Sequence, residues 1–171
     1  TTELYKWLDH NAIIEMQPVD YTNHPQIIAR QSKMVAVNAA LQVDLFGNIY
    51  ADVLGLNDQY TGSGGQIDFA LGCAVSDDAK FVTTLSSTTS DGKYSRIVFH
   101  PTSEENPCAP QLPMVPRYLA DYVVTEFGVA HLKGKSNDAR VRSLINIAHP
   151  DFRAQLTDQA RKAGLINGKK S

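Results

Sequence analysis

Apolar residues recur along this chain in two rhythms, and their alternation predicts an α/β fold. Leu4, Trp7 and Leu8 share one face at helical spacing, and Pro25-Gln26-Ile27-Ile28-Ala29-Arg30 opens with proline at a favoured first-turn position. The first thirty residues therefore predict helix, short strand, helix. Residues 34–43 are mostly apolar and partly β-branched, and residues 49–53 follow beyond Asp44-Leu45-Phe46-Gly47-Asn48. That pair predicts a hairpin about the Gly-Asn turn. Residues 67–74, apolar almost all round, predict a buried helix behind the glycine-rich Tyr60-Thr61-Gly62-Ser63-Gly64-Gly65-Gln66.

Residues 81–85 and 94–99 read as strands separated by a Ser- and Thr-rich stretch. Five of the eight prolines fall in residues 101–116, which predicts an extended surface loop. Residues 121–125 form a short β-branched strand. Val141, Leu144, Ile145 and Ala148 then follow helical spacing behind Ser136-Asn137-Asp138, a plausible cap. His149-Pro150-Asp151 breaks the chain before a last amphipathic helix carrying Phe152, Leu156 and Ala160. Buried strands mixed with helices and one hairpin predict a single α/β domain over residues 1–171, with a mixed, mostly parallel sheet flanked by helices.

Composition narrows the function. Of 171 residues, 43% are hydrophobic and 20% charged, which is enough apolar material for a real core. A net charge of -2 offers no basic excess for nucleic acid or an anionic membrane, though a local basic pocket for a small phosphorylated ligand stays open. Cys73 and Cys108 are too few for a disulfide framework and lack metal-ligand spacing, so a reducing, cytoplasmic setting is expected. No apolar run reaches the roughly 18 residues a membrane helix needs. The start, Thr1-Thr2-Glu3-Leu4, has neither an initiating Met nor a signal-peptide core, which predicts a piece of a longer protein.

Two local features carry candidate chemistry. Consecutive glycines before a helix let a ligand approach the backbone, and the helix start offers unpaired N–H groups to an anion or oxyanion. Glycine turns before helices are also common as plain tight turns. The segment is no nucleophile elbow, because no glycine lies two places before Ser63. Gly134-Lys135-Ser136 ends like a phosphate loop, but Val129 stands where the earlier glycine belongs. Glu126 follows a predicted buried strand, and strand ends in open α/β sheets are where ligands collect; a surface carboxylate is the plainer alternative. The histidines at 10, 24, 100, 131 and 149 show no metal spacing, and no metal is expected. Arg140, Arg142 and Arg153 lie near helix starts and could hold phosphate, although helical surface charges usually do nothing specific.

Taken in order, several segments resemble the carboxy-terminal domain of the acetyl-CoA hydrolase/4-hydroxybutyrate CoA-transferase family. They are Tyr21-Thr22-Asn23 with Ile28-Ala29-Arg30, residues 37–45, Gly62-Ser63-Gly64-Gly65-Gln66-Ile67-Asp68-Phe69, Ser95-Arg96-Ile97-Val98, residues 122–130, Leu132-Lys133-Gly134-Lys135-Ser136, and residues 147–153. The ordered set spans nearly the whole chain. The resemblance implies a CoA-transferase-like fold of two similar α/β domains with the active site at their junction.

It also implies a reaction. A glutamate attacks an acyl-CoA thioester, and the freed thiolate then makes an enzyme–CoA thioester that passes CoA to a second carboxylic acid, such as acetate or 4-hydroxybutyrate. The implied catalytic residues are Glu126, as a second carboxylate beside the thioester, and Gly64 and Gly65, as backbone donors to the oxyanion. Gly62, Gln66, Ser90 and Lys93 are implied to contact CoA, and Asn38 to contact substrate. A Cβ at Gly64 or Gly65 is expected to occupy space the thioester needs, and a neighbouring carboxylate is expected to raise the pKa of Glu126. No residue here matches the nucleophile, which the resemblance places upstream; Glu3 and Glu15 lie in segments that resemble the stretch after it.

The implied partners are an acyl-CoA, a small carboxylic acid, the amino-terminal domain of the same enzyme and a second copy in a homodimer. No permanently bound cofactor is expected, CoA being substrate. A hydrolase, in which water replaces the acid, and a non-catalytic CoA-binding or scaffold domain are the rival readings.

Overall fold

The computed structural model describes residues 1–102, 109–110 and 112–166. Its centre is a four-stranded sheet of β1 (Val35–Ala39), β6 (Lys80–Thr84), β8 (Tyr122–Thr125) and β9 (Gly128–His131), in the order β1-β6-β8-β9. The first three strands are parallel, and β8 and β9 form an antiparallel hairpin. A second sheet, ordered β3-β2-β7, joins β2 (Gln42–Asp44) to β3 (Ile49–Tyr50) and β7 (Ile97–Val98). A two-stranded ribbon pairs β4 (Val53–Leu54) with β5 (Asp58–Gln59). The sheet is mixed and mostly parallel, as the periodicity predicts.

Helices α4 (Gln66–Val75) and α5 (Asn137–Ile147) pack on the central sheet. Helix α3 (Pro25–Ala29) lies against α4, and α6 (Pro150–Lys162) against α5. Ser136 caps α5 by accepting from the Ala139 N–H at 3.3 Å. His149 caps α6 through Nδ1, with Pro150 in its first turn, so the predicted break is a helix start. The core gathers Val43, Leu45, Ile49, Phe81, Ile97, Val123, Leu132, Val141 and Leu144, all nearly inaccessible to solvent.

Several expectations need correction. The first thirty residues contain no strand; α1 (Thr2–Leu8), α2 (Val19–Thr22) and α3 are all helical, and the Leu4/Trp7 face of α1 is exposed. The apolar run over 34–43 is two strands in two sheets. Gln42–Asp44 makes the predicted hairpin with β3, while Val35–Ala39 pairs with β6 instead. Gly47, at φ +93, forms that turn, and a Cβ there would meet the Arg140 guanidinium at 2.4 Å. Helix α4 is buried on one side only, with Val75 and Leu71 exposed. The proline-rich segment is not wholly superficial: Pro101, Ala109, Pro110 and Val115 are buried, and Val115 bridges Ile49. Its remaining part at 103–108 and 111, including Cys108, lies outside the described residues.

Candidate functional site

The parallel strands β1, β6 and β8 all end on one edge of the sheet, and Asn38, Glu126 and the start of α4 lie at it. Asn38 stands in register with Thr83, Ala39 with Thr84, and Thr84 with Val124, two residues before Glu126. Asn38 is half-buried, and its carbonyl accepts from the Thr84 hydroxyl at 3.4 Å. Glu126 is thus two strands across from Asn38, about 10 Å sideways at the usual strand spacing, and three residues further along the strand direction. Strand ends of this kind are where open α/β sheets bind ligands.

Glu126 is exposed but not free to swing. Its Oε2 accepts from the Ser87 N–H at 3.0 Å, and its Oε1 accepts from the same N–H at 3.2 Å and from the Ser87 hydroxyl at 2.5 Å. Ser87 itself is fully buried. The Ser87 hydroxyl is the main reason the Glu126 carboxyl is held below the usual carboxylate range; partial desolvation opposes it, and backbone N–H groups and the nearby His149 add to it. Within this chain the direction is downward; the expected rise depends on a neighbouring carboxylate, which the resemblance places upstream. Beside it, Phe127 meets His149 edge-on at 5.3 Å, and the Arg153 guanidinium lies 5.5 Å from the Phe127 ring centre.

Ser87→Ala should move the Glu126 titration upward, towards the ordinary range, in carboxyl-resolved NMR. An unchanged midpoint would show that the hydroxyl is not the cause. The sign for stability follows from the depressed folded-state value. The contribution of Glu126 is present above the unfolded pKa and is lost as pH falls through the folded one. It is small, because the group is exposed.

At the other end of the edge, the glycine-rich turn runs into α4. Gly64 has φ +55 with open space where a Cβ would go, and Gly65 is the N-cap of α4 without any side-chain cap. The first-turn N–H groups of α4 are thereby left to an outside acceptor. Gln66 is buried and donates to the Ala39 carbonyl at 3.4 Å, which pins the turn to the end of β1. Gly62 is exposed nearby in sequence. A Cβ on Gly65 would meet the Asn23 side-chain amide, which lies close over that glycine.

Ser90 and Lys93 lie on the loop that follows Ser87. The Asp91 carboxylate shapes this loop, accepting from the Thr89 hydroxyl at 2.6 Å and the Lys93 N–H at 3.2 Å. Ser90 lines a cavity of about 300 Å³ with Leu41, Gln42 and Arg96. Lys93 lines a neighbouring one of about 290 Å³ with Gln42, Tyr94 and Phe152, and its ammonium pairs with Asp91 at 3.4 Å.

The arginines do not form a phosphate cradle. Arg140 donates to the carbonyls of Leu132, Phe46 and Arg117, Arg142 pairs with Asp138 at 2.8 Å, and Arg153 donates to the Ala148 carbonyl. Ser87 is the residue that sequence reasoning passed over, while Asn23 entered it only as part of a matching segment. The Ser/Thr-rich stretch after β6 was the only signal for Ser87. No group of acidic, His or Cys side chains able to hold a metal occurs among the described residues, and no described helix is long and apolar enough to cross a membrane.

The chain is 44% identical over 167 residues to the succinyl-CoA:cyclohexane-1-carboxylate CoA transferase of Geobacter metallireducens, covering 97% of this chain and 36% of that protein. It is 41% identical to the 4-hydroxybutyrate coenzyme A transferase of Clostridium kluyveri, covering 95% and 36%. The crystal structure of RipA from Yersinia pestis superposes with a TM-score of 0.83 at 38% identity, over 97% of this chain and 36% of that one. The chain spans about a third of the length of the relatives it matches. The family described as the acetyl-CoA hydrolase/transferase C-terminal domain matches residues 1–160, and this chain belongs to that family.

Proposed function

We propose that this chain is the carboxy-terminal domain of an enzyme that moves CoA from an acyl-CoA to a small carboxylic acid, of the acetate or 4-hydroxybutyrate type. The observation that carries the proposal is Glu126, an ionised carboxylate locked by Ser87 at the same sheet edge as an uncapped helix start behind Gly64. Glu126 orients the nucleophile or the incoming acid. The N–H groups at Gly64, Gly65 and the start of α4 face charge that develops on a thioester oxygen. Asn38 contacts the acyl group from the end of β1, while Gly62, Gln66 and the Ser90–Lys93 loop line the path of CoA. The nucleophilic glutamate comes from the remainder of the parent enzyme, as does the amino-terminal domain that closes the site. CoA is a substrate and not a resident group, and a cytoplasmic setting suits the buried free thiol of Cys73.

The test assays the chain alone and the chain joined to the rest of its parent, with acetyl-CoA and added carboxylate. The chain alone should be inactive. The joined enzyme should form a new acyl-CoA only when the carboxylate is present. Release of free CoA at an equal rate without carboxylate would make the parent a hydrolase, and turnover by the chain alone would place the nucleophile within it.

A further inference from the structure

The two faces of the central sheet have opposite fates. Register sets Ala36 beside Phe81, Thr83 beside Val123, and Val123 opposite Ala130. These five side chains are buried on the face where α4 and α5 pack. The alternate set places Val37 beside Val82, Val82 beside Tyr122, and Tyr122 opposite His131; the next row runs Ala39, Thr84, Val124, Val129. None of this second set is buried. Val35 is 53% exposed, and Val37 and Val129 are each 61% exposed.

A sheet face meant for water usually alternates to charged and hydroxyl side chains, whereas this one stays rich in valine. Mostly parallel sheets are almost always covered on both sides, because their strands are apolar on both. Among the described residues, no helix is placed over the second face.

We infer that this open face is the seat of polypeptide from the remainder of the parent enzyme. Three observations favour that occupant over a second copy of the chain. The relatives are nearly three times as long, so ample polypeptide lies outside this chain to supply a covering layer. Helices α1 and α2 bury no residue, leaving Leu4, Trp7 and Val19 exposed as further apolar surface for the same occupant. The row Ala39–Thr84–Val124–Val129 also abuts the edge that carries Glu126 and the glycine turn, so a layer seated there reaches that edge. The identity of the occupant rests on the CoA-transferase reading; the openness of the face does not.

The test mixes the chain with the complementary amino-terminal polypeptide of its parent. Val37→Lys and Val129→Lys should leave the melting temperature of the chain unchanged, since both positions face solvent, yet weaken the complex at least about tenfold. As a second measurement, Val37→Cys and Val129→Cys should react with maleimide readily in the free chain and at least about tenfold more slowly in the complex, with peptide mapping to exclude Cys73 and Cys108. Undiminished affinity with unchanged labelling overturns the inference, as does failure of the two polypeptides to associate. A chain that sediments alone as a dimer and becomes monomeric on Val129→Lys gives the face to a second copy and overturns it too. A complex that forms through this face but moves no CoA keeps the docking surface and sinks the proposed reaction. An active complex indifferent to Val37→Lys does the reverse.

Discussion

Glu126→Gln should slow CoA transfer by the assembled enzyme on the order of a hundredfold, the usual cost of losing one aimed charge or donor at an acyl-transfer site. The substitution keeps size and shape but alters the anchor. Oε1 receives both the hydroxyl of Ser87 and one contact from its N–H, and a glutamine oxygen can keep these. The 3.0 Å contact from that N–H to Oε2 is lost, because an amide NH2 would face another donor. Charge and orientation therefore fall together. The enzyme–CoA adduct should still form in the variant, since the role proposed for Glu126 is to orient the reacting groups without bonding to them. Trapping the adduct and mapping it by mass spectrometry is the decisive measurement. An adduct on Glu126 itself would make it the nucleophile, and a normal rate for the variant would reduce it to a surface charge at a strand end.

Phe81→Ala should destabilise the isolated chain by about 3–5 kcal/mol, as expected for emptying a fully buried aromatic site. Phe81 is 1% exposed on β6, a central strand, on the face where α4 packs. Its N–H donates to the Asp121 carboxylate at 3.2 Å, and that backbone contact would survive the truncation. The loss is therefore one of packing. At this chain length it should lower the melting midpoint by about 6–20 °C. Urea unfolding followed by circular dichroism checks it, and a loss below about 1 kcal/mol would mean that the closed face collapses around the gap or is not the core.

Periodicity and punctuation in the sequence were enough for the α/β class, the cap at Ser136, the last two helices and the placing of Glu126 at a strand end. Each rests on interactions within a few residues: an apolar repeat of 3.6, a hydroxyl reaching three residues forward, a proline in a first turn. The glycine turn was also legible, because Gly64 needs a left-handed backbone that few other residues adopt readily.

Pairings between distant segments were not legible. Nothing within residues 34–43 says that Val37 goes to one sheet and Val43 to another, since both are β-branched and the choice depends on what each strand meets. The β8–β9 hairpin was hidden for a related reason. Glu126 and Phe127 make a tight turn whose return strand, Gly128–His131, is short and carries little alternation. Ser87 is 39 residues from Glu126 along the chain, and its hydroxyl became the anchor only once β6 and β8 lay side by side. Likewise, Asn23 comes to lie against Gly65 only across the fold. Local sequence determined which residues could do chemistry at a strand end. Only tertiary contact decided which of them are held in place, because a fixed carboxylate needs a buried donor from another strand.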